Sequence, residues 1–145
     1  MLLLLVLALV SCENNIKTLP EDLTMIENPL KECPDSPNCF RTTQFFEYDS
    51  STVFSAIKTA VDEIGVYETE TESDSLSKNI KAIFKIPVFG WLDDVDVVVI
   101  ADNDNKDNSI VFIRSASREG YYDIGVNKRR VNKILKFTRK QLNKK

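Results

Sequence analysis

Two short runs rich in valine and isoleucine, at 95–101 and 109–115, constrain the fold of this chain more than any other feature. β-Branched side chains fit a pleated, half-buried surface, and the polar stretch 102–108 between the runs reads as a hairpin loop, so the fold must contain a sheet. Weaker strands are expected at 66–71 and 78–85, joined by a polar turn around Ser73, Asp74 and Ser75, and a β-prone piece lies at 43–48. Between the first piece and the others the hydrophobic period changes. Val53, Ile57, Ala60, Val61 and Ile64 recur at helical spacing, with Asp49, Ser50 and Ser51 as a capping cluster before them and Gly65 as the stop. A second helix ends the chain, with Val131, Ile134, Leu135 and Leu142 as its apolar stripe and Asn127 as its expected cap. The economical arrangement is an α+β fold, a mostly antiparallel β-sheet with two amphipathic helices packed on one face, in the order β-α-β-β-β-β-α.

The first residues read as an export signal. The apolar run 2–10 is too short to span a bilayer, which takes roughly 20 residues, but suits the hydrophobic region of a signal peptide. It ends in Leu9-Val10-Ser11-Cys12, which resembles the lipobox of bacterial lipoprotein precursors. That resemblance implies transfer of diacylglycerol to the Cys12 thiol, cleavage just before that residue and acylation of the new amino group, with two or three acyl chains giving durable anchoring. The expected organisation is a lipoprotein signal peptide at 1–11, a lipidated cysteine and flexible tether at 12–32, and one domain at 33–145. Residues 13–32 contain Pro20 and Pro29 and few apolar groups, and fully extended they reach roughly 65 Å. The location so implied is exported and membrane-anchored, in the bacterial cell envelope.

An exported chain meets oxidising conditions, and with Cys12 assigned to lipid, Cys33 and Cys39 remain as an expected disulfide across a loop stiffened by Pro34 and Pro37. Five intervening residues depart from the C-x-x-C spacing of thioredoxin-like redox sites. The absence of histidine excludes histidine-based triads and HExxH zinc sites. Stretch 102–108 carries six oxygen-donor side chains, but it lacks the EF-hand spacing and closing glutamate, and a solvated turn is expected. No cofactor and no metal are expected. Residues 128–145 hold nine Lys/Arg and no acid, whereas the rest holds ten against 22 Asp/Glu, a net of −12. With basic residues confined to one terminal helix on an acidic, exported body, nucleic acid is not an expected partner.

The densest polar segment is 114–130, R-S-A-S-R-E-G-Y-Y-D-I-G-V-N-K-R-R, which leaves the last strand and enters the last helix. Strand alternation puts Arg114 on the side of Ile110 and Phe112, with Ser115 and Ser117 on the other. A buried Arg114 would need a carboxylate, for which Asp123, Asp93, Asp94 and Asp96 are candidates. Together with C-P-D-S-P-N-C at 33–39 and W-L-D-D-V-D at 91–96, this segment resembles the signature of a bacterial and plant family, domain of unknown function 1499, over residues 33–142. The resemblance implicates Cys33, Pro34, Ser36, Pro37, Asn38, Cys39, Asp93 and Asp94. From the longer segment it implicates Arg114, Ser115, Ser117, Arg118, Gly120, Asp123, Gly125, Asn127 and Arg130, and it brings no reaction with it.

Three readings of this cluster stand side by side. As a binding site, Arg114, Arg118 and Arg130 would grip a small anionic or polar ligand or an envelope protein, aided by Ser115, Ser117 and the helix N-terminus near Asn127. As a structural element, the arginines would pair with Asp93, Asp94 and Asp123 and hold the strand to the helix. As a hydrolase, Ser117 would be the nucleophile, although the chain has no histidine and only Lys128 is a lysine close in sequence. No catalytic residue is assigned.

Overall fold

A computed structural model describes residues 26–144, and Cys12, the signal peptide and most of the expected tether lie outside them. The elements are β1 (Cys39–Phe46), α1 (Ser50–Glu63), β2 (Glu68–Ser73), β3 (Ser77–Lys85), β4 (Leu92–Ala101), β5 (Ser109–Ser117) and α2 (Val126–Leu142). All strands pair antiparallel in one five-stranded sheet of order β1-β5-β4-β3-β2. The α+β class and the order β-α-β-β-β-β-α are therefore as the sequence implies. Consecutive strands β2 to β5 form a meander, and α1 crosses the sheet to carry the chain from β1 at one edge to β2 at the other.

Both helices lie on one face of the sheet. Val53, Ile57 and Val61 of α1 and Val131, Ile134 and Leu135 of α2 meet Ile80, Val95, Val97, Val99, Val111 and Ile113 in one core. Asp49 caps α1 by accepting from the Ser51 and Thr52 N–H groups, each at 3.0 Å, and Gly65, at φ +88°, lets the chain turn away after it.

The strand boundaries differ from those expected: β4 begins at Leu92 rather than 95, β5 runs on to Ser117 rather than 115, β3 begins one residue earlier, and β1 and β2 shift as well. β1 begins at Cys39 rather than 43, because the Asn38 carbonyl accepts from Ser117 N–H at 3.0 Å and opens the pairing with β5. β2 begins at Glu68 rather than 66 and is exposed throughout, an edge strand whose alternating glutamates discourage a further strand from adding to it.

The opposite face of the sheet is covered only in part. Ile26 and Leu30 pack with Phe45, Val98 and Ile100 over the buried Ile110 and Phe112. Asn28 ties this segment down, its carbonyl accepting from Arg41 Nη2 at 3.1 Å and its amide donating to Thr43 Oγ1 at 3.3 Å. Residues 26–32, expected to belong to the tether, thus contribute packing to the domain.

Between 102 and 108 the expected turn is present. Asp102 Oδ1 accepts from Asp104 N–H and Asn105 Oδ1 from Asp107 N–H, so these oxygens serve local backbone donors. Among the described residues no group of acids and cysteines is arranged to hold a metal ion, and no helix is long and apolar enough to cross a membrane.

Candidate functional site

The pleat of the sheet divides the polar cluster into two sites. Asp93, Ser115 and Ser117 face the helices, whereas Asp94, Asp96, Arg114 and Arg118 belong to the other face. The cluster that looks continuous in sequence is split by the strand itself.

On the helix face Asn127 is the hub. It is fully buried, and its Oδ1 accepts from Ser115 Oγ at 2.5 Å and Arg130 Nη1 at 2.8 Å. Its Nδ2 donates to the Asn38 carbonyl at 2.9 Å, Ser117 Oγ at 2.9 Å and Asp123 Oδ2 at 2.8 Å. Three acceptors compete for two amide hydrogens, so every donor and acceptor of the amide is in use. Arg130 completes the cluster through an ion pair of 2.6 Å from Nη2 to Asp93 Oδ2, a 3.1 Å bond to Ser115 Oγ and a guanidinium 4.9 Å from the Phe84 ring centroid. Asp93 and Arg130 are 2% and 9% exposed, which explains why a fork-shaped, permanently charged partner is required.

Asn127 is not the helix cap that its position suggests. The N-cap is Gly125, in the left-handed region at φ +73°, and Asp123 takes over the capping function by accepting from Gly125 N–H at 2.7 Å and Asn127 N–H at 2.8 Å. One residue inside the helix, the Asn127 side chain is free to turn toward the sheet, and Asp123 is thereby a helix-terminus acceptor rather than the partner of Arg114.

The disulfide loop is locked to the same hub. Cys33 and Cys39 are bonded with their Cα atoms 5.5 Å apart. Within the loop Ser36 Oγ donates to Asn38 Oδ1 at 2.7 Å, and Asn38 Nδ2 donates to the Gly120 carbonyl. Asn38 therefore joins three segments: its own loop, the end of β5, and the helix through Asn127.

The other face holds exposed and half-buried ion pairs. Arg118 grips Asp94 with a forked contact, Nη2 to Oδ1 at 2.7 Å and Nε to Oδ2 at 3.0 Å, and this pair raises the guanidinium pKa further above its ordinary value. Arg114 pairs with Asp96 at 3.5 Å. Burial pushes the Asp96 carboxyl above its ordinary value and the nearby Asp94 charge adds to this, while Arg114 and Lys81 oppose it. In register across the strands run Arg41, Arg114, Asp96, Lys81 and Glu70, a belt of charge over the middle of the sheet. A shallow groove of about 450 Å³ lies along it, with four acids, Glu68, Glu70, Asp94 and Asp96, against the cations Lys81 and Arg118.

These geometries bear differently on the three readings. Ser117 Oγ is held by the Asn127 amide, which cannot take its proton, and the Lys128 ammonium lies over the Phe40 ring, 5.7 Å from its centroid. The helix-face half is saturated by its own members. Arg118→Ala removes only an exposed pair and is expected to cost under about 1 kcal/mol, moving the melting temperature by no more than about 3 °C in a thermal scan.

A group of apolar residues at one end of the sheet is set apart by the fold and not by sequence periodicity. Val88, Phe89 and Trp91 in the β3–β4 loop and Tyr121, Tyr122 and Ile124 in the β5–α2 loop are exposed, and the Phe89 and Trp91 rings stack at 4.6 Å. The signal was present, since V-F-G-W and Y-Y-D-I occupy stretches between strong elements where polar loop residues are the norm.

A comparison with curated proteins finds no match. The family model described as "Protein of unknown function (DUF1499)" matches residues 29–137, a span that takes in the disulfide loop, the whole sheet and most of α2. The chain belongs to this family.

Proposed function

We propose that this protein is an exported lipoprotein of the bacterial cell envelope, held to a membrane through acylated Cys12, and that its domain works by binding through the aromatic end of the sheet. The observation that carries the binding reading is the distribution of exposed large apolar side chains. Seven of the eight among the described residues stand at the end of the sheet where β3, β5 and α2 have their loops, and Leu76 alone is at the other. Chance exposure would scatter them, and clustering of this kind marks a contact surface. The polar cluster supports this surface from within: Asn127, Asp123 and Asn38 fix the β5–α2 loop from which Tyr121, Tyr122 and Ile124 project. Its charges are consumed by one another, so the expected grip of Arg130 on an anion gives way to a scaffolding role.

A second reading has its own support in the groove on the other face. Four acids against two cations suit a small cationic or zwitterionic ligand rather than an anionic one. Arg118 and Asp94 are exposed enough to exchange their mutual contact for contacts with such a ligand.

Anchoring and contact are tested separately. In a bacterial host the intact chain should incorporate a palmitate analogue and fractionate with membranes, and Cys12→Ser should abolish the label and release the protein; an unlabelled chain would reject the lipobox assignment. A photo-crosslinking amino acid at Tyr122 should react with envelope components, while one at Glu70 should not. Reaction at Glu70 only would transfer the contact to the groove.

A further inference from the structure

We propose that the aromatic end of the domain docks on a lipid bilayer, so that the protein lies on the membrane through its own loops as well as through its anchor. The proposal deepens the binding reading above by naming what the surface meets. Its first support is the chemistry of the side chains. Trp91, Tyr121 and Tyr122 have amphipathic rings that favour the boundary between headgroups and acyl chains, and Phe89, Val88 and Ile124 are apolar groups able to enter it. Tyr67, where the chain enters β2, stands at the same end.

The second support is charge. Lys85, Lys128 and Arg129 border these loops and are not bound to carboxylates among the described residues: Lys85 lies over the Tyr67 ring, Lys128 over the Phe40 ring, and Arg129 donates to the Ile124 carbonyl. Glu119 is the exposed acid of the β5–α2 loop, while Asp123 is taken up in capping and Asp93 and Asp94 are paired. These three cations beside the aromatic tip are available to anionic headgroups. The exposed acids Glu119, Asp35 of the adjoining disulfide loop and Glu68 at the start of β2 match them in number, so the aromatic and apolar side chains carry most of the contact. The far end of the molecule, with Asp102, Asp104, Lys106 and Asp107 in its hairpin loop, is polar. This polarity along the strands sets one end toward lipid and the other toward solvent.

The third support is chain length. Residue 26 packs near Phe45 and Ile110 at the far end, whereas Cys33 is bonded to Cys39 at the aromatic end. The residues between Cys12 and 26 could extend about 45 Å, against about 33 Å for the ten residues of β4, so an anchor at Cys12 reaches the membrane on which the aromatic end rests.

Trp91 is the sole tryptophan and serves as the probe. The mature chain carrying Cys12→Ser, which has no acyl group, is titrated with vesicles of mixed phosphatidylethanolamine and phosphatidylglycerol. Trp91 emission should shift to the blue and be quenched by bromine-labelled acyl chains. Val88→Asp combined with Tyr122→Asp should weaken binding at least about tenfold, with the melting temperature of the free protein unchanged because both side chains are exposed. No shift and no co-sedimentation with vesicles would overturn the proposal, as would a shift that survives both substitutions. Because the protein in this test has no lipid, a negative result leaves the acyl labelling of Cys12 to be judged by its own experiment, and a positive one does not depend on it.

Discussion

Arg130→Ala is expected to destabilise the domain by about 3–5 kcal/mol, the largest effect of any single substitution in the polar cluster. The reason is the partner left behind. Asp93 is almost wholly buried, and without the guanidinium 2.6 Å away its charge would face the core with no compensation. Ser115 Oγ and Asn127 Oδ1 lose a donor at the same time, and Phe84 loses the cation over its ring. For a domain of this size the loss corresponds to a fall in melting temperature on the order of 15 °C. Arg130→Lys should recover only part of it, because one ammonium cannot stand in both for Nη2 on Asp93 and for Nη1 on Ser115 and Asn127. The double variant Arg130→Met with Asp93→Leu should be more stable than Arg130→Ala, since removing both charges also removes the desolvation each suffers. Thermal and guanidinium unfolding of the three proteins checks the ordering.

Asn127→Leu, which keeps the volume and removes the amide, is expected to cost about 2–4 kcal/mol. The Asn38 carbonyl and Ser117 Oγ would lose their Nδ2 donor, Asp123 Oδ2 would keep only the backbone N–H, and Ser115 Oγ would keep only its contact with Arg130. The effect is smaller than for Arg130 because the ion pair with Asp93 survives. Denaturant unfolding measures it, and a midpoint close to that of the parent protein would mean that Asn127 is a ligand-binding side chain rather than a structural one.

Strand alternation and helical periodicity made most of the architecture legible. The apolar face of the helices and the alternation in β4 and β5 locate the core, because burial selects residues by face. The same alternation already separates Asp93 from Asp94 and Ser115 from Arg114, as the two faces of the sheet bear out. What sequence order leaves open is pairing across strands: of the four candidate carboxylates Asp96 meets Arg114, and only the register of β4 beside β5 selects it over Asp123. Asn127 misleads for a related reason. Its residue type and place suit a cap, yet the helix starts earlier, at Gly125, where Asp123 accepts from the Gly125 and Asn127 N–H groups, and the Asn127 side chain is left to the core. Residues 26–32 read as tether because their apolar members are sparse, but Ile26 and Leu30 suffice to cover Ile110 and Phe112. The aromatic end stayed hidden because apolar residues in loops carry no periodicity, and only the fold shows that two separate loops emerge at one end.

Amide hydrogen exchange, followed with and without anionic vesicles on the mature Cys12→Ser protein, tests most directly whether the aromatic end is the contact surface and the polar cluster its scaffold. The account predicts added protection at 86–91 and 120–125, with Ser117 and Asn127 amides strongly protected in both states. Protection gained instead at 68–70 and 81–83, along the charged groove, or none at all beside rapid exchange at Ser117 and Asn127, would contradict it.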